Sequence, residues 1–455
     1  CTHNIYVTCF SCEATVSRSQ ICTSLQFSLA FIHSVLCFFL VNMARLVLLL
    51  VAVAVAPSFG LDNGLGRRPQ MGWNSWNKFH CNISSQLIRN TADLLVSTGL
   101  SKVGYTYVNL DDCWATSRDK LGRIHEDPKA FPEGMGHLGE YIHNQGLKFG
   151  IYSDAGDLTC AGRPGSLEHE NSDAQSYADW KVDYLKYDNC HAGDIDVRER
   201  YPIMRDALNR TGRKIFFSMC EWGKEAPWLW AGPVGNSWRT TGDIDPSWER
   251  TMYCLDLNEP LYPYAGPGKW NDPDMLEVGN GLTNVEGQSH FSLWALMKAP
   301  LLIGCDISKM SAATKATLMN EEVIAVNQDP LGVQGHRTSR ANPNGAELWQ
   351  GPLADGSIIA ILFNRNDDLP ANITVSFAFQ GTAIDMEIRD LWLHKDLGQF
   401  SEFSPIVPPH GVRMLKVKPA GGKKTPSGAE LLNATTLTSY YFIFPSIKTK
   451  VQTVV

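Results

Sequence analysis

Several features typical of other protein classes are missing from this chain of 455 residues. It has no long run of Lys or Arg and no glycine-rich phosphate loop followed by Lys and Ser or Thr, and its net charge is only −7. These absences argue against nucleic acid as a main partner, because a strongly basic surface is the usual signature of such binding. No cofactor is expected.

Signatures of metal binding are missing as well. No Cys-x-x-Cys pair occurs beyond residue 42, and the chain contains neither an EF-hand loop nor a His-Glu-x-x-His motif. We therefore expect no metal site.

The sequence also lacks an uninterrupted apolar run long enough to cross a membrane, which takes about 18 residues or more. Met43-Ala-Arg45 is followed by a short apolar segment and small residues, which together predict a secretory signal peptide over residues 43–60. Residues 1–42 precede that start methionine and are interpreted as a non-native leader outside the fold. A membrane anchor over about residues 27–56, interrupted by polar residues, is the alternative.

The cysteines and glycosylation motifs agree with secretion. Of the 12 cysteines, five lie before residue 42 and seven after it, so at least one thiol of the mature chain stays unpaired. Asn-x-Ser/Thr triplets occur at Asn82, Asn209, Asn372 and Asn433. We expect a protein of the secretory pathway, located in the extracellular space, cell wall, vacuole or lysosome, with no membrane anchor after signal cleavage.

From Met71 onward, short apolar or aromatic strands alternate with helical segments. Eight strands are predicted, at Met71–Trp76, Tyr105–Asp111, Lys148–Ser153, Tyr184–Asp188, Lys214–Cys220, Ser237–Thr241, Gly268–Asp272 and Pro300–Asp306. Helices are predicted at Ser84–Ser97, Met135–Gln145, Ser172–Trp180, Tyr201–Asn209 and Gln288–Lys298. Eight such units in about 250 residues favour a (β/α)8 TIM barrel over residues 61–329. A doubly wound open sheet is the alternative.

Helical patterns fade after residue 329. Short strand-like runs predict a smaller antiparallel β-sandwich over residues 330–419, with strands at Glu347–Gly351, Ser357–Phe363, Ile373–Phe379, Ile384–Leu393 and Val412–Val417. This domain carries no cluster of acids and is interpreted as accessory. The tail, residues 420–455, contains the aromatic run Tyr440–Phe444, which is either a further edge strand or an artefactual tail.

The predicted strand Tyr184–Asp188 is the first indication of chemistry. Side chains two apart on a strand share a face, so Lys186 and Asp188 point the same way. An ammonium group beside a carboxylate lowers the pKa of that carboxylate, and an ionised Asp at the end of an interior strand can act as a nucleophile. The alternative is a structural ion pair, since such pairs also shift pKa values.

Acidic and aromatic residues follow nearly every predicted strand, at the end where barrel enzymes place their active sites. They include Asn74, Asp111, Asp112, Tyr152, Asp154, Asp188, Glu221, Asp243, Asp272, Asp274 and Asp306. Carboxylates accept hydrogen bonds from hydroxyl groups and aromatic faces cover the apolar side of a sugar ring, so the pattern favours a carbohydrate. Any single Asp can instead cap the following helix, but that explanation is poor for the whole set.

Seven motifs follow one another along residues 61–419: Pro69–Trp76, Asn109–Trp114, Gly150–Asp154, Tyr184–Cys190, Cys220–Gly223, Trp238–Asp243 and Trp270–Met275. In combination they resemble the melibiase-type α-galactosidases of glycoside hydrolase family 27. The resemblance implies a retaining hydrolase that removes terminal α-D-galactose, with Asp188 as nucleophile and Asp243 as general acid/base. The pKa of Asp243 must then rise so that it can donate a proton. The expected partner is a galactose-terminated carbohydrate, and a homodimer is compatible.

The same resemblance implies the other residues of the pocket, which bind the sugar hydroxyl groups, cover one face of the sugar ring or line the pocket. They are Trp73, Asp111, Asp112, Tyr152, Lys186, Glu221, Trp222, Arg239 and Asp274. Glu221 would crowd an N-acetyl group, for which related N-acetylgalactosaminidases make room with a small residue, so galactose is favoured. The family's disulfides correspond to Cys81–Cys113 and Cys160–Cys190. Lys269 stands where a glycine is usual, and a cation there is expected to affect binding of the leaving group.

Three other functions are weighed against this one. An α-N-acetylgalactosaminidase or β-L-arabinopyranosidase would be an enzyme of the same class. A galactose-binding lectin without catalytic activity is disfavoured because Asp188 and Asp243 are both present. A metal-assisted hydrolase is disfavoured because histidines are scarce at the strand ends. Raffinose-type oligosaccharides, galactomannan branches and glycolipids are all compatible substrates.

Overall fold

Eight parallel strands form the centre of the computed structural model, which describes residues 61–340, 345–379, 382–422 and 442–444. They are β1 (Met71–Asn74), β2 (Tyr107–Asn109), β3 (Lys148–Asp154), β4 (Tyr184–Asp188), β5 (Phe216–Met219), β6 (Ser237–Arg239), β7 (Trp270–Asp272) and β8 (Leu301–Ile303). Their order is β8-β1-β2-β3-β4-β5-β6-β7, and Leu276, just after β7, pairs in parallel with Ile303 of β8. The sheet therefore closes on itself. The (β/α)8 barrel is confirmed, and the open sheet is wrong.

The predicted leader and signal peptide, residues 1–60, lie outside the described residues, as does most of the tail after residue 422. No helix among the described residues is long and apolar enough to pass through a bilayer.

Eight α-helices of more than one turn accompany the strands in the described part of the chain. They are α1 (Ser85–Ser97), α2 (Met135–Asn144), α3 (Glu170–Asp179), α4 (Val197–Arg210), α5 (Trp248–Asn258), α6 (Asn284–Leu296), α7 (Ala312–Leu318) and α8 (Glu321–Asn327). Side-chain caps set most of the starts, because they satisfy backbone N–H groups that have no partner within the helix. The predicted starts of α4 and α6 are each four residues late, since Asp196 and the Thr283–Glu286 capping box begin these helices one turn earlier.

Aromatic side chains fill the amino-terminal end of the barrel. Tyr107, Tyr184 and Phe216 stand at the first positions of β2, β4 and β5, and the rings of Tyr184 and Phe216 stack with centroids 5.2 Å apart. This apolar plug closes one end of the barrel, so the polar residues that follow the strands meet at the other end.

The second domain is an antiparallel β-sandwich, as predicted. Its strands are β9 (His336–Arg340), β10 (Ala346–Pro352), β11 (Ile358–Asn364), β12 (Ala371–Asn372), β13 (Val375–Phe379), β14 (Thr382–Ala383), β15 (Met386–Asp390), β16 (Lys395–Phe400), β17 (Glu402–Phe403), β18 (Ile406–Val407), β19 (Val412–Pro419) and β20 (Phe442–Phe444). The main sheet has the order β9-β10-β11-β19-β15-β16. Sequence reasoning missed β9 and β16, the two edge strands of this sheet, because their polar residues face solvent. The strand β20 pairs with β13, which corresponds to the edge-strand alternative for the tail.

A buried ionic cluster joins the sandwich to the barrel. Glu347 on β10 has no exposed side-chain surface and contacts Arg337 at 3.3 Å and Arg365 at 3.1 Å. Both arginines also reach Asp256 on α5, at 3.1 and 2.8 Å. The sandwich is thereby fixed to the helix that follows β6.

Candidate active site

Asp188, the predicted nucleophile, is the last residue of β4 and only 6% exposed. Its Oδ2 accepts a hydrogen bond of 2.9 Å from the hydroxyl of Tyr152, and its Oδ1 accepts one of 3.0 Å from the backbone of Asn189. Tyr152 is itself fixed, because the indole of Trp114 donates to its carbonyl at 2.7 Å. These donors orient the Asp188 carboxylate at the polar end of the barrel.

Lys186 lies on the same face as Asp188, as predicted, but its ion-pair partner is Asp111. The ammonium group is 2.9 Å from Asp111 Oδ2, which also accepts a hydrogen bond of 2.8 Å from Asn74. Burial raises the pKa of Asp188 above its ordinary value, and the charge of Lys186 and the hydrogen bond from Tyr152 oppose this rise without cancelling it. The expectation of a lowered pKa is therefore wrong for the structure, because desolvation outweighs the lysine.

Both disulfides implied by the family resemblance are present, Cys81–Cys113 and Cys160–Cys190, each with a Cα–Cα distance of 5.2 Å. Asp112 connects the loops that carry them. Its Oδ1 accepts a hydrogen bond from the backbone of Cys113 and its Oδ2 one of 2.9 Å from Ala161. Burial raises the pKa of this carboxyl group. The loop beside Asp188 is therefore held in place by the Cys160–Cys190 disulfide and by the hydrogen bond to the buried carboxylate of Asp112.

Asp243, the predicted acid/base, lies at the open side of the site with a side chain that is 67% exposed. The buried guanidinium of Arg239 on β6 contacts it at 3.1 Å and contacts Asp274 at 2.9 Å. Asp274 in turn accepts a hydrogen bond of 2.8 Å from the backbone of Ile244, next to Asp243. Arg239 thus fixes both acids at this side of the pocket.

The charge state of Asp243 differs from the expectation. Partial burial acts to raise its pKa, but the cations Arg239 and Lys186 outweigh burial, so the pKa lies below the ordinary value. The negative charge of Asp243 adds to the rise in the pKa of Asp188. The two carboxyl groups therefore act on each other electrostatically, and the expected rise in the pKa of Asp243 is wrong for the structure because of its salt bridge with Arg239.

Three predicted residues, Trp73, Glu221 and Trp222, form no hydrogen bond or ion pair with the other predicted residues in the described part of the chain. Trp73 is fully buried, and its indole donates to the carbonyl of Cys305 at 3.0 Å. Glu221 is buried, and one of its oxygens has no partner among the described residues. Burial raises the pKa of Glu221 to about 7. Trp222 has a positive φ of 65°, and the ammonium group of Lys224 lies 4.3 Å from its ring centroid.

Four residues of the site were not assigned to it from the sequence: Asn74, Asp154, Cys220 and Asp272. Asp154 is fully buried and accepts backbone hydrogen bonds from Gly156 at 2.8 Å and Cys190 at 3.0 Å. Burial, together with the charge of Asp188, raises its pKa to about 8. Burial also raises the pKa of Asp272, to about 6. The available signal was their position at the ends of predicted strands.

Asp154, Cys160 and Cys190 form the one group of potential metal ligands found among the described residues, within 4.8 Å of one another. Both sulfurs are joined in the disulfide. They are therefore not available as thiolate ligands.

Lys269 lies at the opposite end of the barrel from these acids. It immediately precedes β7, and the neighbouring Gly268 donates a backbone hydrogen bond of 2.7 Å to Gly66, which precedes β1. Residues before a parallel strand lie at its amino-terminal end, whereas the site is at the carboxyl end. The expected effect of Lys269 on the leaving group is therefore wrong.

Comparisons with known families agree with this architecture. The family described as alpha galactosidase A matches residues 68–329, and the alpha galactosidase C-terminal beta sandwich domain matches residues 343–417.

Individual proteins give the same result. An alpha-galactosidase of Oryza sativa subsp. japonica is 53% identical over 363 residues, which cover 79% of this chain and 86% of that protein. Alpha-galactosidase 3 of Arabidopsis thaliana is 53% identical over 366 residues, covering 79% of this chain and 84% of that protein. The solved structure of an α-galactosidase from Saccharomyces cerevisiae with raffinose superimposes with a TM-score of 0.74 at 33% identity, covering 80% of this chain and all of that one. The chain is thus a member of the melibiase family of α-galactosidases.

Proposed function

We propose that the protein is a retaining exo-glycosidase that hydrolyses terminal non-reducing α-D-galactose residues through a covalent galactosyl–Asp188 intermediate. The observation that carries this proposal is the arrangement of Asp188 and Asp243. One carboxylate is buried and oriented by two donors, and the other is exposed at the open side of the same site. Family membership supports the reaction class, and retention requires two carboxyl groups about 5–5.5 Å apart across the scissile bond.

In the first step, an oxygen of Asp188 forms a bond to the anomeric carbon while the bond from that carbon to the leaving oxygen breaks. Asp243 donates its proton to the leaving oxygen. In the second step, the Asp243 carboxylate takes a proton from a water molecule whose oxygen attacks the anomeric carbon. The bond to Asp188 breaks, galactose leaves with its original configuration, and Asp243 holds a proton again.

The charges of the site bear on the first step, which needs Asp188 ionised and Asp243 protonated. In the structure, Arg239 and Lys186 instead favour the ionised form of Asp243. Sugar hydroxyl groups that accept hydrogen bonds from Arg239 would weaken its contact with Asp243 and raise the pKa of that acid. Binding of substrate would then favour the form in which Asp243 is protonated and Asp188 is ionised.

Recognition of galactose rests on the paired groups of the pocket. Lys186 and Asn74 hold the carboxylate of Asp111, and Arg239 holds that of Asp274. The acceptor positions that these contacts leave free would bind hydroxyl groups of the sugar. Such pairs reject ligands that lack the matching hydroxyl, because buried polar groups would lose partners. Asp112, Tyr152, Trp73 and Trp222 complete the proposed pocket. Glu221 is a large buried group where an N-acetyl substituent would need space, which favours galactosides over N-acetylgalactosaminides.

The experiment that tests this proposal traps the intermediate. We expect a 2-deoxy-2-fluoro-α-galactoside to label the peptide that contains Asp188, and Asp188→Asn to lower kcat about a thousandfold or more while galactose still binds. Asp306→Asn is the matched control, because Asp306 also follows a barrel strand but its side chain caps the turn at Ser308 and pairs with the exposed Lys309. Label on another acid, or near-normal turnover by Asp188→Asn, would contradict the proposal.

We further propose that the chain matures in the secretory pathway. Its two disulfides are typical of oxidising compartments. Asn82 and Asn209 are exposed, so glycans fit at both positions. A shift in electrophoretic mobility on treatment with an endoglycosidase, which becomes smaller in Asn82→Gln/Asn209→Gln, tests the proposal. A chain recovered without glycans and with free thiols contradicts it.

A further inference from the structure

Arg200 lies near the start of α4 and is only 3% exposed. Its guanidinium donates three hydrogen bonds to three different segments of the chain. Nε donates to the carbonyl of Ile195 at 2.9 Å, Nη1 to the carbonyl of Ala155 at 3.3 Å, and Nη2 to the side-chain oxygen of Asn189 at 2.7 Å. Ala155 directly follows β3 and Asn189 directly follows β4. Arg200 therefore connects the ends of two neighbouring barrel strands at the side of the active site.

These contacts lie directly beside the proposed nucleophile. Asn189 is the next residue after Asp188, and its backbone N–H donates to Oδ1 of Asp188 at 3.0 Å. The backbone N–H of Ala155 donates to the carbonyl of Asp188 at 3.0 Å. The hydroxyl of Tyr201, which follows Arg200 on α4, donates to the same carbonyl at 3.1 Å. Both the backbone of Asp188 and one oxygen of its carboxylate are thus held by groups that Arg200 contacts or adjoins.

The chemistry of the side chain fits this position. The three acceptors belong to separate segments, and a guanidinium reaches all of them because its donors project from three nitrogens in a fixed plane. All three acceptors are uncharged oxygens. A buried cation with uncharged partners gains less than one with a counter-charge, which indicates that Arg200 does more than stabilise the fold.

We propose that Arg200 is a positioning residue of the hydrolysis reaction, which fixes Asn189 and Ala155 and through them directs the carboxylate of Asp188 towards the anomeric carbon. This inference rests on the proposed role of Asp188. A nucleophile that is misplaced by about 1 Å can lose about a hundredfold in rate, so a fixed strand end matters directly for the reaction.

Binding of the sugar does not depend on Arg200 in this arrangement. In the proposed pocket, the carboxylate of Asp111 is held by Lys186 and that of Asp274 by Arg239. None of these four residues is an acceptor of the Arg200 guanidinium. Loss of Arg200 therefore lowers the rate of attack and leaves the affinity for galactose unchanged.

The experiment compares Arg200→Gln and Arg200→Lys with the wild type, all as the full-length enzyme. Isothermal titration with galactose counts the sites that bind sugar, and rates are expressed per such site, so that a misfolded fraction is not counted as lost activity. We expect Arg200→Gln to lose about ten- to a hundredfold in kcat and in kcat/KM alike, while the Kd for galactose stays within about twofold. Arg200→Lys keeps the charge but not the three separate donors, and should show a smaller loss of the same kind.

Arg213 provides the matched control at the opposite end of β4. Its Nε donates to the carbonyl of Val182 at 2.5 Å, and its Nη2 contacts Asp183 at 2.6 Å. Both partners directly precede β4. Arg213→Gln removes a comparable set of contacts away from the active site. It should lower the urea midpoint of unfolding and leave kcat per galactose site unchanged.

Asn189→Ala tests the connection separately. It removes the acceptor of the Arg200 contact but keeps the backbone N–H that donates to Asp188. If Arg200 acts through Asn189, the single variant Asn189→Ala loses part of the same kcat. The double variant Arg200→Gln/Asn189→Ala then loses less than the product of the two single losses. If neither Arg200 variant folds, Asn189→Ala alone decides, and an unchanged kcat in it contradicts the inference.

Normal kcat per galactose site in Arg200→Gln, an equal loss in Arg213→Gln, or single losses that multiply in the double variant would overturn the inference. Failure of the proposed function gives a different result. If Asp188→Asn retains turnover, the assignment of the nucleophile is wrong and the inference fails with it. If Asp188→Asn is inactive and Arg200→Gln keeps its kcat, only the role of Arg200 is wrong.

Discussion

The guanidinium of Arg239 lies 3.1 Å from a carboxylate oxygen of Asp243, and the two side chains differ sharply in exposure, 4% against 67%. The cation therefore acts on Asp243 from the protein interior, where solvent screens it least. As a result, the pKa of the proposed proton donor is low in the structure even though its own side chain reaches solvent. Removal of the cation tests this relationship.

We predict that Arg239→Gln moves the alkaline limb of the kcat/KM profile to higher pH by about one pH unit, because Asp243 loses the charge that favours its ionised form. The maximum of kcat/KM falls as well, since Asp274 loses the same partner. Arg250→Gln is the companion variant. Arg250 donates to the carbonyl of Asp243 and makes a smaller contribution to its pKa, so the same limb should move less and in the same direction. A limb that stays fixed or moves to lower pH in Arg239→Gln contradicts this account.

In the proposed pocket, Glu221 limits the space beside the sugar, and its replacement should therefore change specificity. We predict that Glu221→Ala raises the ratio of activity on an α-N-acetylgalactosaminide to activity on the α-galactoside at least about tenfold, because a buried side chain without other pocket contacts is removed. The nitrophenyl glycosides of both sugars provide the measurement. Glu221→Gln keeps the volume of the side chain and should leave this activity ratio near that of the wild type. A similar rise of the ratio in Glu221→Ala and Glu221→Gln would show that charge rather than size excludes the N-acetyl group.

The sequence predicted the barrel and most of the site because the relevant signals are local. Each acid of the site is the last residue of a short strand or lies within four residues of its end, and parallel strands bring such positions to one end of the barrel. Lys186 shows what the local sequence does not predict. Its position beside Asp188 on the strand was predictable, but its ion-pair partner Asp111 comes from another strand, 75 residues away.

The charge states of Asp188 and Asp243 could not be predicted from the residues next to them in the sequence. The pKa of Asp188 depends on how completely the closed barrel removes water, and the pKa of Asp243 on a guanidinium oriented by Asp274. Cys220 was apparent only as part of the motif Cys220–Gly223 until the structure placed its sulfur 3.7 Å from Nη1 of Arg239. The position of Lys269, in contrast, could have been predicted, because Lys269 is the second residue of the predicted strand Gly268–Asp272 and so lies near its amino-terminal end, away from the active site.

The cluster around Glu347 predicts a strong dependence of stability on one buried carboxylate. Glu347→Gln leaves the guanidinium groups of Arg337 and Arg365 without their buried counter-charge, and we expect the free energy of unfolding to fall by about 3 kcal/mol. Urea denaturation followed by fluorescence measures this change. Asp396→Asn is the control, because it removes one partner from an exposed pair with Arg389 and should have little effect. Equal small losses in the two variants would show that burial does not strengthen the Glu347 pairs.

The last prediction concerns Lys298, which follows α6 and is 1% exposed with its ammonium group bonded to the carbonyl of Val326. Burial lowers its pKa from 10.5 to about 8, and the charge of Asp329 opposes this only in part. Below pH 8 the lysine is protonated in both the folded and the unfolded chain, so the full cost of burying the charge is present there. Between pH 8 and 10.5 the folded chain holds fewer protons than the unfolded chain, so stability rises with pH.

Lys298→Met should therefore stabilise the protein at pH 6 by about 1–2 kcal/mol, after allowance for the lost hydrogen bond. The gain should shrink by up to about 1.4 kcal/mol per pH unit above pH 8, because the wild-type lysine then sheds its proton on folding. Urea denaturation at pH 6, 8 and 9.5 gives the measurement. Lys309→Met, at a side chain that is 81% exposed, is the control and should show no such pH-dependent difference. A gain that stays constant across this range would mean that Lys298 keeps its proton in the folded protein up to pH 9.5, and so that burial does not lower its pKa.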